Sequence, residues 1–185
     1  AICAEWPDLV AGQAKASVLC GPGNNGGDGF VVARLLAELG WEVDAYFSGD
    51  PVKVPEDALS AFRHWQGATL PLAEYRPCNE DVVVDALFGT GLARPVSGEF
   101  LAALGAISER PRTTMLVAVD VLSGFSSDTG HLPAGSGDYP KHLSADMTVT
   151  FQAPRLGHFT GSLPARSGRL VGVPIGVELP DGDRA

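Results

Sequence analysis

Ser17-Val18-Leu19-Cys20-Gly21-Pro22-Gly23-Asn24-Asn25-Gly26-Gly27-Asp28-Gly29-Phe30-Val31-Val32-Ala33-Arg34-Leu35-Leu36-Ala37-Glu38-Leu39-Gly40 is the stretch on which the fold turns. Residues 17–20 are a short apolar run that ends in glycine, and a glycine-rich turn runs from Gly21 to Gly29. From Phe30 the apolar residues recur at helical spacing until Gly40 stops them. The order is strand, turn, helix. Gly21, Gly23 and Gly26 satisfy G-x-G-x-x-G, in which glycines permit close backbone approach and the helix N-terminus attracts a phosphate. The motif alone is weak, and its place between strand and helix strengthens it. Asn24 and Asn25 would add two side-chain amides to the crevice, which is unusual for plain dinucleotide binding. Asp28 would either cap the helix or repel a phosphate. The plainer reading is a tight turn with an N-cap. No G-x-x-x-x-G-K-[ST] occurs, which excludes a P-loop NTPase on motif grounds.

Outward from that stretch, strands and helices alternate. Residues 42–47 alternate as a strand, 55–67 read as a helix opened by Pro55 and closed by Gly67, and 81–85 are a strand. Residues 98–109 are helical, and 114–120, 145–151 and 168–175 supply further strands. Alternation implies parallel pairing through crossovers, and near-continuous Val, Leu and Ala strands fit a sheet covered on both faces. The expectation is a Rossmann-like three-layer α/β/α sandwich with a mostly parallel sheet. Residues 1–185 form a single domain in this reading, with 126–144 as a long surface loop and 180–185 as a fraying end or linker. In such sheets ligands bind beyond the carboxyl ends of the strands.

Composition narrows the functional classes. The 185 residues are 45% hydrophobic and 19% charged, which places the chain among folded domains with a sizeable core. The net charge of −9 argues against nucleic acid or an anionic membrane surface as partner, since either needs a basic patch. No apolar run is long enough for a membrane span, and no signal peptide is visible. Cys3, Cys20 and Cys78 are an odd number with no C-x-x-C spacing, so they read as reduced thiols of a cytoplasmic protein.

Two more strand ends repeat the polar signature. Val84-Asp85-Ala86-Leu87-Phe88-Gly89-Thr90-Gly91-Leu92 puts a carboxylate at a strand terminus before a second glycine-rich turn, and Val119-Asp120-Val121-Leu122-Ser123-Gly124 does the same. One such acid is usually a cap or turn former. Two beside an Asn-rich glycine turn converge on one crevice, and that convergence argues for a site. His64, His131, His142 and His158 are scattered and read as surface or structural residues. Ser123-Gly124 lacks the G-x-S-x-G elbow of a hydrolase. Arg94 and Arg155 are candidate phosphate partners or solvated surface, while Trp6, Trp41 and Trp65 read as packing.

Taken together, these segments resemble the YjeF N-terminal domain family, the NAD(P)H-hydrate epimerases. GPGNNGGDGFVVAR (21–34) matches its most specific signature, and DALFGTGLARPVSGEF (85–100), VAVDVLSGFSSDTG (117–130) and ADMTVTFQAPRLGHFTG (145–161) resemble three further blocks in order. The match runs from about Val18 to Val177. The resemblance implies a cytoplasmic, dimeric isomerase that interconverts the R and S forms of hydrated NADH and NADPH (NAD(P)HX). A fused or separate dehydratase would act on the S form. It implies substrate binding by Asn24, Asn25, Gly26, Gly27 and Asp28. Gly89, Thr90, Gly91, Leu92, Ala93, Arg94 and Pro95 would hold the phosphates, with Asp120 at the nicotinamide end. One K+ ion would be held by Asn25, Asp85 and Ser123, an oxygen set suited to a hard cation.

The sequence departs from the family at Leu122, Phe125 and Ser126, which stand where proline, leucine and a second aspartate are usual, and at Arg155 in place of lysine. The family's N-terminal helix is largely missing ahead of Ala1, so the expectation is part of a longer protein, with a bifunctional chain as one option. Inverting the hydrated C6 carbon requires moving a proton to and from oxygen or nitrogen, work a carboxylate can do. Asp120 is the chosen acid/base group, because a cation-bound Asp85 would be a poor proton acceptor. Two other readings stand beside the epimerase. One is an inactive binding or scaffold module of the same family. The other is an ordinary NAD-dependent dehydrogenase, for which Asp50 is the sole, poorly placed, ribose-binding acid.

Overall fold

The computed structural model describes residues 1–10 and 13–176. Seven strands form one sheet: β1 (Lys15–Cys20), β2 (Glu42–Phe47), β3 (Thr69–Pro71), β4 (Val82–Ala86), β5 (Met115–Val119), β6 (Met147–Phe151) and β7 (Arg169–Val173). The order is β3-β2-β1-β4-β5-β6-β7, and every pair is parallel. The doubly wound sandwich is as expected, with β3 an addition the sequence reading missed. Only three residues long and ending in Pro71, β3 carries too little pattern to be read.

The helices are α1 (Ile2–Glu5), α2 (Pro7–Val10), α3 (Asn24–Glu38), α4 (Glu56–His64) and α5 (Gly98–Ser108). Alternate strand residues feed two cores. Val18, Cys20, Val82, Val84 and Val117 pack with Phe30, Ala33 and Leu36 of α3 on one face. Leu19, Val83, Leu116 and Ala118 pack with Ala103, Leu104 and Ile107 of α5 on the other. Such strands are buried on both sides, which is why they read as unbroken apolar runs.

Two expectations need correction. Residues 126–144 are irregular, but they are not merely a surface loop: Tyr139 and Leu143 are buried in the second core beside Leu122 and Phe125. This segment is part of the layer covering β4 and β5. The helix expected from Phe30 begins six residues earlier, at Asn24. Gly26 and Gly27 of the supposed turn are packing glycines inside it. A Cβ on Gly26 would lie 1.8 Å from the Gly21 carbonyl oxygen, and one on Gly27 would lie 2.7 Å from the Ala58 Cα of α4. Glycine is used there for close approach, at the cost of helix propensity. Trp41 and Trp65 are core residues, as expected. The segment 180–185 lies outside the described residues. Among those described, no helix is long and apolar enough to cross a membrane.

Candidate functional site

The sheet order places the site. The connection after β1 leads outward toward β2, whereas β4, on the other side of β1, leads toward β5. The segments leaving β1 and β4 therefore diverge, and a crevice opens between them at the strands' carboxyl ends. A cleft of about 710 Å³ lies there, within the range of small-molecule sites. The β1–α3 turn contributes Pro22 and Gly23, the first turns of α3 contribute Asn24, Asn25 and Asp28, and the segment after β4 contributes Leu87 to Arg94. Asp120 enters from the end of β5.

Most of the expected substrate residues thus meet in one place: Asn24, Asn25, Asp28, Gly89, Thr90, Gly91, Leu92, Ala93, Arg94 and Asp120. Gly26 and Gly27 do not line the cleft; they seat α3 against Gly21 and α4. Pro95 lies just past the lining. Among the described residues Arg94 is the only lysine or arginine in the wall and is exposed, so an anion there would lean on it, on the glycine-rich backbone and on the α3 N-terminus.

Asp120 has an unusual backbone. Its φ is +66°, and the Val121 N–H donates to the Val119 carbonyl at 2.8 Å. This is a three-residue γ-type turn with a non-glycine residue in the left-handed region, a strained arrangement that persists only when surrounding structure enforces it. β6 and the short 3₁₀ turn Leu156–Phe159 enforce it. The Asp120 N–H donates to Val149 O at 2.7 Å, Thr150 Oγ1 donates to Asp120 Oδ1 at 3.0 Å, and His158 Nε2 bonds the Asp120 carbonyl at 2.8 Å. The second carboxylate oxygen, Oδ2, lies beside Gly89: a Cβ there would be 3.3 Å from it and 3.0 Å from Asn25 Oδ1. Gly89 is the spacer that lets the Asn25 amide and the Asp120 carboxylate share the cleft.

His158 is the residue the sequence reading undervalued. His64, His131 and His142 are exposed, but His158 is buried. Its position in an irregular segment gave no periodicity from which burial could be read.

Asp28 also faces the cleft. It makes no hydrogen bond or ion pair among the described residues, so it does not cap α3; Gly23 occupies the N-cap position. Partial burial, then the charge of Asp120, push its carboxyl up to about 6.

Asp85 and Ser123 sit behind the wall. Asp85 is fully buried. Its Oδ1 accepts from Ser123 Oγ at 2.7 Å and from Leu87 N at 3.2 Å, and its Oδ2 accepts from Ser123 N at 2.8 Å. Ser123 Oγ in turn accepts from the Phe88 N–H at 2.9 Å, and the Ser123 carbonyl accepts from Tyr139 Oη at 2.7 Å. Burial raises the Asp85 carboxyl above its usual range, opposed by the Ser123 and Leu87 hydrogen bonds. No cationic side chain pairs with it among the described residues. The Asn25 Nδ2 end is buried without a partner. Turned over, that amide would present Oδ1 instead. A buried carboxylate without a counter-charge, a hydroxyl and an unsatisfied buried amide are donor types that suit a hard cation. Among the described residues no three His, Cys, Asp or Glu side chains cluster as a metal site.

Three of the departures from the family pattern have structural explanations, and Arg155 has none. Leu122 and Phe125 are buried in the second core. Ser126 Oγ accepts from the N–H groups of Asp128 and Thr129, both at 3.3 Å, so the serine stabilises the turn as a side-chain acceptor. Asp50 bonds Val52 N and pairs with Lys53, and at the end of β2 Ser48 donates to Glu99. Both nearby carboxylates are thus already engaged, Asp50 within its own turn and Glu99 by Ser48.

Residues 2–157 match the sequence profile of the family described as YjeF-related protein N-terminus. An NAD(P)H-hydrate epimerase of Roseobacter litoralis is 40% identical over 83% of this chain and 74% of its own length. One from Rhodobacter capsulatus is 40% identical over 96% of this chain and 82% of its own length. The bifunctional NAD(P)H-hydrate repair enzyme Nnr of Escherichia coli is 36% identical over 83% of this chain, which spans 29% of that protein. The crystal structure of yeast ynu0 superposes with a TM-score of 0.69 at 20% identity, covering 97% of this chain and 74% of that one, and so shares the fold. By the profile match and by its coverage of those relatives, this chain belongs to the YjeF-related N-terminus family.

Proposed function

We propose that this chain is an isomerase, an NAD(P)H-hydrate epimerase that interconverts the R and S forms of hydrated NADH and NADPH in nucleotide repair. The observation that carries the reading is Asp120, held on a strained turn with Oδ1 engaged by Thr150 and Oδ2 beside Gly89 in the cleft. The glycine-rich Gly89–Gly91 backbone and Arg94 receive the phosphates, and the hydrated ring lies toward Asp120. If the ring C–N bond breaks, Asp120 takes the C6 hydroxyl proton as the carbonyl forms and passes it to the released ring nitrogen, and the reverse closes the ring on the other face; if the C–O bond breaks, Asp120 gives a proton to the departing hydroxyl and takes one back from the water that adds to the other face. Asn25, Asp85 and Ser123 would hold a K+ ion, which supplies the positive charge that the buried Asp85 lacks and orders the segments around it. The inactive-scaffold alternative leaned on Leu122 and Ser126, and neither substitution takes a group out of the cleft wall. The setting we infer is a cytoplasmic homodimer working with an NAD(P)HX dehydratase, fused or separate.

The test is an assay of the purified chain on R-hydrated NADPH, coupled to a dehydratase that consumes the S form, in K+ and Na+ buffers. Consumption faster than spontaneous epimerisation and dependent on K+ is expected, falling about 10²–10⁴-fold in Asp120→Asn. A folded wild-type chain that adds nothing to the spontaneous rate refutes the enzyme. An Asp120→Asn variant of full activity refutes the acid/base assignment alone.

A further inference from the structure

We infer that His158 is a positioning residue for this reaction, holding the Asp120 carboxylate in the cleft by fixing the carbonyl of its turn. The inference rests on the epimerase reading above. Asp120 cannot hold its φ of +66° on local preference, because an L-residue there crowds its own backbone. Its turn needs a clamp on the carbonyl, the one backbone group not tied to β5 or β6. The imidazole is that clamp. Its Nδ1 accepts the Arg155 N–H at 2.9 Å, which leaves Nε2 as the proton-bearing nitrogen, 2.8 Å from the Asp120 oxygen. Buried and bonded at both nitrogens, the ring has one tautomer and one orientation.

The clamp is itself anchored. The Gly157 N–H donates to Ser127 O at 2.7 Å, and a Cβ on Gly157 would lie 2.4 Å from that oxygen, so the turn carrying His158 is pressed onto the 126–127 backbone. Ser127 Oγ then donates to Thr90 O at 3.2 Å, on the phosphate side of the cleft. His158 and Thr150 divide the work: the threonine orients the carboxylate, and the histidine fixes the backbone from which it projects.

His158→Leu and His158→Gln separate this role from simple packing. Leucine fills the space and donates nothing, while the glutamine amide N–H falls where Nε2 lies. The expected result is a kcat about 10–100-fold lower in His158→Leu with KM little changed, and most of the rate restored in His158→Gln, since a small misplacement of a reacting group has that scale. A folded His158→Leu with kcat within twofold of wild type overturns the inference, as does a loss confined to KM. If His158→Leu does not fold, His158→Asn replaces it, since its shorter amide falls near Nδ1 instead. Equal rates for the Asn and Gln variants then overturn the inference. Crystal structures of wild type and variant give a readout independent of activity, and an unmoved Asp120 carbonyl in the donor-less variant also overturns it. An inactive wild type would refute the epimerase reading, and the structures would still decide whether His158 holds the turn.

Discussion

Replacing Asp85 with alanine tests how the wall of the cleft is built. The carboxylate accepts three hydrogens, from Ser123 N, Ser123 Oγ and Leu87 N, in a place without solvent. In Asp85→Ala the hydroxyl has a fallback, because the Phe88 carbonyl lies 3.2 Å from Ser123 Oγ. The two backbone N–H groups have none. Each unsatisfied buried donor costs about 1–3 kcal/mol, so the variant loses about 2–6 kcal/mol. That is a large share of a domain's stability, and for a chain of this size it lowers the melting temperature by roughly 5–20 °C. Asp85→Asn keeps an acceptor for Ser123 Oγ and Leu87 N but turns an N–H toward Ser123 N. It leaves the Ser123 N–H and the new amide N–H groups without acceptors, at about 1–3 kcal/mol for each donor group, offset in part by removing a buried charge. Both variants are expected to melt below wild type. Calorimetry or circular dichroism measures this. An alanine variant that melts within about 2 °C of wild type would sink the hydrogen-bond accounting. The same melts in K+ and Na+ test the cation: K+ should stabilise wild type by mass action and leave Asp85→Asn unmoved. Equal K+ stabilisation of both would remove Asp85 from the ion's ligands.

Other perturbations follow from particular contacts. Asp28 carries a carboxyl raised to about 6 by burial and by Asp120, so the folded state binds its proton more tightly than the unfolded chain does. Its contribution to stability is lost as pH rises from about 4 to about 6, and is level above that. Urea unfolding should therefore show Asp28→Asn gaining on wild type across that window; a difference independent of pH would refute the assignment. Gly21→Ala and Gly26→Ala each drive a Cβ to 1.8 Å from a backbone carbonyl oxygen, of Leu87 and Gly21 respectively. Neither backbone can step aside, and each variant should lose about 3 kcal/mol or more in denaturant titration. Gly23→Ser meets nothing within 4 Å and sits at the N-cap with extended backbone, so it should hold or gain up to about 1 kcal/mol in the same titration. Ser126→Asp, which restores the family's usual acid, should leave both the melting temperature and the epimerase rate within twofold-scale changes, because either side chain accepts the Asp128 and Thr129 N–H groups.

Elements with a regular period were legible in the sequence, and so was their order. Parallel strands buried on both faces announce themselves as Val–Leu runs, and 82–86, 115–119 and 147–151 lie where those runs stand. What the sequence hid was purpose behind shared composition. Glycine in 21–29 reads as turn because its local effect is to loosen a helix, yet in Gly26 and Gly27 a distant backbone requires it. Tyr139 and Leu143 sit in a stretch rich in Gly, Ser and Pro, where two apolar side chains make no period, so their burial was invisible. His158 was hidden for the same reason. The cleft residues were legible because each follows a strand, and sheet topology gathers strand ends.

That topology also separates two acids that the sequence presents as equivalents. Val84-Asp85-Ala86 and Val119-Asp120-Val121 look interchangeable, each an aspartate at the end of an apolar strand. The ladder pairs Asp85 with Ala118, however, and not with Asp120. Asp120 is therefore two residues farther along the strand direction, about 6–7 Å nearer the carboxyl edge. Two residues decide the chemistry. Asp85 is still inside β4 when it turns its side chain, so it meets Ser123 and Leu87 and no solvent. Asp120 has left β5, and just past the last ladder pair, Val119 with Val149, it reverses on its γ-type turn and faces the cleft. A carboxylate in the first position has every incentive to bind a cation and little access to a substrate proton. One in the second has a free oxygen at the ligand's edge. In the proposed epimerase the division of labour between ion holder and acid/base would follow from register, and exchanging the two roles would require slipping β4 against β5 by two residues.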